Sequence, residues 1–281
     1  MARSLLLVAV GLFLAPLVGG LLAGLDRKLT ARFQSRQGPP LLQPFYDLIK
    51  LLAKSPQASN PWIGLCATIY LFAAASSVVL FLLGFDLLYI FFVQAVGAIF
   101  FAAGALSVPS PFSQIGGQRE LLQILAYEPI LIMAFAAIYL ETGTFHVAGV
   151  FAYDQPLLLK LPLVFVAVGL ALTIKLRKSP FDISGSHHAH QELVRGVHTE
   201  YSGPFLALTE LAHWYETMLI MGVCSLFWAS HWAGVILLPL AAYGVEIFVD
   251  NVTARLTWRW MLVSVLASGF FLTLTNMVWL R

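Results

Sequence analysis

The chain has 281 residues, of which 59% are hydrophobic and 11% charged, and its mean hydropathy is +0.84. A soluble domain carries roughly 25% charged residues, so this composition excludes one water-soluble core and requires the bilayer as solvent. The two cysteines, Cys66 and Cys224, sit in apolar runs without a Cys-x-x-Cys spacing, which argues against a cysteine-ligated cluster or structural zinc in this chain.

Apolar runs long enough to cross a membrane lie at 4–25, 62–83, 87–108, 120–141, 158–177, 204–229, 233–250 and 259–280. The first follows Arg3 and is too long for the apolar core of a signal peptide, so it reads as a membrane helix. The seventh is the weakest of the eight assignments, since it carries Glu246 and Asp250. The expected fold is all-α, about eight transmembrane helices in a single polytopic domain over 1–281. An amphipathic helix is expected in the loop at 26–61. There Gln43, Asp47, Lys50 and Lys54 recur at i, i+4, i+7 and i+11, one polar stripe on an apolar helix that Pro44 can start. Such a helix lies in the membrane interface or packs on the bundle.

Basic residues set the orientation. With eight spans, 13 Lys and Arg fall on the side holding the long loops and only Arg3, Lys160 and Arg281 on the other, out of 16 in all. The rich side is expected to face the cytoplasm, with both termini outside.

Acids inside apolar helices are costly and usually functional. From the cytoplasmic ends of their helices, Glu128 lies about 12 Å deep, Glu210 about 9 Å, Glu216 about 18 Å and Glu246 about 6 Å. Glu210, His213 and Glu216, spaced i, i+3, i+6, put neighbours near one another on a helix face. A carboxylate–imidazole–carboxylate series can pass protons, because His titrates near neutrality and burial raises a Glu toward it. Glu128, Glu210, His213, Glu216, Glu246 and Asp250 are therefore candidates for a proton or ion pathway, against the alternative of interhelical hydrogen bonds without transport. Glu210-Leu-Ala-His213 also matches the Glu-x-x-His element of di-iron bundles, but a second copy is missing.

The loop between the fifth and sixth spans holds His187, His188, His190 and His198. Imidazole density alone suits a metal, yet no carboxylate or Cys stands at a diagnostic spacing and no His-Glu-x-x-His occurs. The expectation is a polar loop docked on a partner, with no metal.

Pro180-Phe-Asp-Ile183, Gln191-Glu-Leu-Val194 and Thr199-Glu-Tyr-Ser-Gly203 resemble the membrane subunit that joins the two arms of respiratory complex I. Asp26-Arg-Lys, Arg32-Phe-Gln-Ser-Arg36, Gly38-Pro39, Asp47-Leu-Ile-Lys50, Arg119-Glu120 and Tyr127-Glu128-Pro129 agree, in the same order over most of the chain. Where complex I usually has acids after Pro-Phe-Asp, this sequence has Ser184-Gly-Ser-His-His-Ala-His190. That stretch and Ala212-His-Trp-Tyr-Glu216 look more like the corresponding subunit of energy-converting [NiFe] hydrogenases, of the ferredoxin-linked or carbon-monoxide-induced type.

The resemblance implies a division of labour. No redox centre is expected in this chain: the [NiFe] centre and iron–sulfur clusters would sit in soluble large and small partner subunits, fed indirectly by ferredoxin, beside another, antiporter-like membrane subunit. It implies a bilayer-embedded protein with no nucleic-acid partner. It also implies a redox-arm interface and coupling loops at Arg27, Arg32, Arg36, Asp47, Asp182, His187, His188, His190, Glu192, Arg195, His198 and Glu200. Three alternatives stay open: a quinone-binding subunit of a complex I-like oxidoreductase, a stand-alone secondary transporter, and a purely structural anchor. No internal repeat of the transporter kind is visible.

Overall fold

The computed structural model describes residues 2–57, 59–182, 184–185 and 195–279. Among these the chain is all-helical, and each expected span is present as a helix. Six helices are long and apolar enough to cross a membrane.

The first of these six spans combines α1 (Ala2–Ala9), a π-helical turn (Val10–Leu14) and α2 (Ala15–Phe33). Pro16 cannot donate to Leu12, four residues back. The orphaned Leu12 carbonyl instead accepts the Tyr215 hydroxyl at 2.6 Å. A hydrogen bond of this kind contributes about 1 kcal/mol, so Tyr215→Phe should lower stability by about that amount and increase hydrogen exchange around the π turn.

Next comes α3 (Gln43–Leu52), the amphipathic loop helix, which packs on the bundle rather than standing free: Phe45 meets Trp214 edge to face at 5.1 Å. Its approach depends on two glycines of α2. A Cβ on Gly20 would stand 2.6 Å from the Phe45 ring, and one on Gly24 would collide with the Leu41 carbonyl. Such small-residue positions let membrane elements come close.

The central bundle is α4 (Pro61–Leu82), α5 (Leu87–Leu106), α6 (Pro111–Thr142), α9 (Pro162–Lys175) and α10 (Pro204–Leu226), flanked by α11 (Trp232–Val252) and α12 (Trp258–Trp279). Helix α4 packs on α5 and α10; α6 packs on α5, α9 and α12; α10 also packs on α2 and α11. Two short turns, α7 (Val147–Phe151) and α8 (Leu157–Lys160), cover the end away from the basic loops. There Leu87 N–H donates to Phe145 and Val147 N–H to Phe85, forming a small backbone clasp. Large apolar side chains stay exposed on the outer helices, among them Phe13, Phe72, Trp232, Trp260 and Phe271. This is the surface a bilayer solvates.

Two helices depart from the spans read off hydropathy. The 32-residue α6 begins at Pro111 rather than 120. Its extra turns mix Ser113, Gln114, Gln118 and Arg119 with Phe112 and Ile115 and lie under the 3₁₀ turn Gly196–His198, with Gly116 against the Val197 backbone. In contrast, α9 has only 14 residues, about 21 Å of rise against a core of about 30 Å. Its N-terminus is buried and is capped from another helix. Asn276 Oδ1 accepts from Leu163 N–H at 2.9 Å and Val164 N–H at 3.2 Å, while its amide donates to the Lys160 carbonyl at 2.9 Å. The remaining long helix, α10, has 23 residues and carries Glu210, His213 and Glu216.

Candidate functional site

At the centre of the bundle, α10 presents Glu216, which is 6% exposed. Three other helices supply its partners. Tyr70 of α4 donates its hydroxyl to Oε2 at 2.7 Å, Gln94 of α5 donates its amide to Oε1, and Lys175 at the end of α9 donates to Oε1 at 3.2 Å. Lys175 is itself buried and lies 4.7 Å from the centre of the Tyr127 ring on α6. An ion removed from water costs several kcal/mol unless it is paired and hydrogen-bonded; here both requirements are met.

His213, one turn before Glu216, places Nδ1 3.7 Å from Oε2. That is too far for a hydrogen bond and close enough for an ion pair once the ring is protonated. One turn further, Glu210 pairs with Arg195 at 3.4 Å. The three residues singled out by spacing thus run from a half-exposed ion pair, through a half-buried imidazole, to a buried carboxylate.

Toward the basic end, a second buried cation follows. Arg177 is 3.7 Å from Glu120, contacts the His198 ring nitrogen Nε2, and lies 5.2 Å from the centre of the Phe101 ring. Glu120 also accepts the Ser184 hydroxyl. Arg119 clamps Asp182 with two donors, one at 2.8 Å, and Gln123 holds the Asp182 carbonyl at 2.8 Å. Asp182 is therefore the tie between α6 and the loop. Glu200 accepts from Ser59 at 2.7 Å, joining that loop to the start of α4.

A third buried cation, Lys178, donates to both Asp26 oxygens at 2.8 Å and stands 3.7 Å from Asp250, whose other oxygen accepts from Ser179 N–H at 2.8 Å. Asp250 thus joins a clasp between α2, the end of α9 and α11, apart from the Glu216 cluster. Glu246 is buried on α11 facing Gly169 and Thr173 of α9, and its Oε2 has no hydrogen-bond partner. Glu128, beside Tyr127, likewise leaves Oε1 unpartnered and feels the charge of Lys175.

Between α2, α3, α10 and α11 a cleft of about 720 Å³ opens at the basic end. Its wall includes Glu210 and His213, the clasp of Asp26, Lys178 and Asp250, and the polar stripe Asp47, Lys50 and Lys54 of α3. Arg36 also faces the cleft and donates to Gln34, whereas Arg32 is exposed. Arg27 bonds Asp47 at 2.7 Å. Partial burial pushes the Asp47 carboxyl up, but the hydrogen bonds from Arg27 and Gln43 and the nearby charges outweigh it and hold the group below its ordinary value.

His187, His188, His190 and Glu192 lie outside the described residues. Among the described residues no three His, Cys, Asp or Glu side chains gather as a metal site. Reading from sequence alone missed Tyr70, Gln94, Tyr127, Lys175 and Arg177 as site members. One signal was available: Gln94 is the single amide in an otherwise apolar twenty-residue helix.

The family model described as NADH dehydrogenase matches residues 5–281. Hydrogenase-4 component C of Escherichia coli (strain K12) is 33% identical over 68% of this chain and 64% of its own length. A subunit of the NADH-quinone oxidoreductase of Dehalococcoides mccartyi (strain CBDB1) is 30% identical over 77% of this chain and 66% of its own length. The chain thus spans just under two thirds of these relatives. A chain in the structure of the membrane-bound sulfane sulfur reductase, an archaeal respiratory membrane complex, superposes with TM-score 0.88 at 21% identity, covering 99% of this chain and 100% of that one. That likeness establishes the fold. With nearly its whole length matched, this multi-pass membrane protein belongs to the NADH dehydrogenase family.

Proposed function

We propose that this chain is the arm-joining, ion-coupling membrane subunit of an energy-converting [NiFe] hydrogenase. In this reading ferredoxin- or carbon-monoxide-derived electrons reduce protons in soluble partner subunits. Those partners, not this chain, carry the [NiFe] centre and the iron–sulfur clusters, and an antiporter-like membrane subunit lies alongside. The basic end faces the cytoplasm and receives the redox arm.

One observation carries the reading: a buried Lys175–Glu216 ion pair, reached from a polar cleft through His213. A structural anchor has no need of a buried charge pair joined to an open cleft by a titratable ring. The loop tied down by Arg119–Asp182 and Arg177–Glu120 lies between the docking face and that pair. A redox-driven change in the arm would move this loop, shift Arg177, and alter the field at Glu216.

The test is Glu216→Gln in the whole complex. The amide still accepts from Tyr70 and Lys175 but cannot carry a proton; the unneutralised lysine should lower the yield of complex, and the complex that assembles should lose most of the ions moved per electron. Unaltered ion transport would remove Glu216 from the route. A second reading has its own observation: a cleft of about 720 Å³ also suits a lipid-soluble quinone. Quinone copurifying with the complex, or inhibition by quinone-site inhibitors, would favour it.

A further inference from the structure

On the side of Glu216 away from the cleft lies a small chamber of about 40 Å³. Its polar groups are Glu216, Lys175 and Gln94; the rest of the wall is apolar. The apolar residues all lie on one side. Phe81 follows Tyr70 on α4, Phe135 follows Tyr127 on α6, and Val223 follows Glu216 on α10, where these helices run away from the basic end. Leu87 and Phe91 precede Gln94 on α5, and Val168 precedes Lys175 on α9, where the helices run back. The chamber therefore extends from the ion pair toward the far surface.

From Glu216 to Val223, from Gln94 to Leu87 and from Lys175 to Val168 the rise is about 10 Å each. Added to the depth of about 18 Å at which Glu216 lies in α10, this accounts for about 28 Å of a core of about 30 Å. At the far end Phe81 meets Phe151 at 6.4 Å between ring centres, and Leu87, held by the Phe145 backbone, is 1% exposed.

The chamber also holds an unsatisfied group. Gln94 is 6% exposed and donates its amide to Glu216, but its own Oε1 has no partner. A buried acceptor of this kind calls for water. A water needs at least about 10–15 Å³ of free space and two to four polar partners, so the chamber has room for roughly two, with Gln94, Lys175 and Glu216 as their partners.

We propose that this chamber is a water-binding proton site that completes the route to the far surface, with Phe81, Leu87 and Phe91 as its hydrophobic gate, and that the ion moved is the proton and not sodium. The inference rests on Glu216 belonging to the ion route. Glu216, protonated from the cleft through His213, lets go of Lys175 and gives its proton to a chamber water. The resulting hydronium passes a proton outward, and the carboxylate closes again on Lys175. A sodium ion would need several oxygens in place of its shed water. Here the donors are one carboxylate and one amide oxygen, with an ammonium group 3.2 Å from the carboxylate. A chain of water needs no such cage, and apolar walls can interrupt it by drying.

The test uses the purified complex in liposomes, with a pH-sensitive dye and radioactive sodium as probes. Val223→Phe, which fills the chamber, should abolish most of the protons moved per electron, as should Gln94→Leu, which removes the water's acceptor at similar volume. Phe81→Ala should raise passive proton leak severalfold in the absence of turnover. Should Val223→Phe fail to assemble, Gln94→Leu and the leak decide the matter. Wild-type pumping in an assembled filled variant, an unchanged leak in Phe81→Ala, or sodium uptake that persists with a protonophore present would each overturn the proposal. Wild-type pumping in Glu216→Gln would instead overturn the ion route itself, whereas loss there with normal pumping in Val223→Phe would sink the chamber alone.

Discussion

Lys175→Met should prevent stable assembly, and Glu216→Gln added to it should restore assembly without restoring ion transport. Lys175 and Glu216 are both buried and 3.2 Å apart. Removing one partner leaves the other as an uncompensated charge among helices, at a cost of about 3–5 kcal/mol. Total stability of a folded domain is only about 5–15 kcal/mol, so the single variant should be recovered in far lower yield and with a lower midpoint of thermal unfolding. In the double variant neither group is charged. The amide put in place of the Glu216 carboxylate still accepts from Tyr70 and can meet Gln94, while the methionine that replaces Lys175 fills the volume of the lysine stem beside Tyr127. Replacing a buried ion pair by well-packed neutral groups is often neutral or stabilising, so folding should return close to wild type. Transport should not, because no carboxylate remains between His213 and the chamber to take up the proton. Equal instability of the single and double variants would show that the pair is not coupled. Full transport in the double variant would remove it from the ion route.

The same pair separates what sequence makes legible from what only packing reveals. Glu216 was legible because a lone acid in an apolar helix is costly enough to mark itself. Its partners were not, since Lys175 stands 41 residues away, Gln94 122 and Tyr70 146. Lys175 in particular reads as one more basic residue flanking a span, and only the packing of α9 on α6 and α10 turns it inward. Helix positions were legible for a simple reason: the bilayer imposes a length of about 20 apolar residues on any span. That rule fails where another protein element takes the place of lipid or water. The first turns of α6 carry Ser113, Gln114, Gln118 and Arg119 because part of their surface lies under Gly196–His198. The spacing of Glu210, His213 and Glu216 pointed to one helix face, and the structure puts that face between the cleft and the core. Asp250, grouped with them as an acid at the end of an apolar span, sits on Lys178 and Ser179.

Asn276→Leu should be among the most destabilising single substitutions outside the ion cluster, although it removes no charge. The side chain is fully buried on α12 and makes three hydrogen bonds to the backbone at the start of α9. The first amides of any helix lack partners within it, and Pro162 ensures that α9 starts abruptly inside the bundle. In a soluble protein water would take those amides. Here they are buried among Leu161, Val164 and Asn276, so each orphaned group costs its full desolvation, about 1–3 kcal/mol. Three such groups make a loss of roughly 3–6 kcal/mol after partial relaxation. The effect should spread: α9 ends on Lys175, and a helix loosened at its start no longer fixes the ammonium against Glu216. Asn276→Leu should therefore lower the thermal midpoint and also reduce ions moved per electron in whatever complex survives. Asn276→Asp keeps the acceptor for Leu163 and Val164 but loses the donor to Lys160, and should fall between Leu and wild type. A Leu variant with wild-type thermal stability would mean that the start of α9 finds other partners and that Asn276 is not what holds this short helix in place.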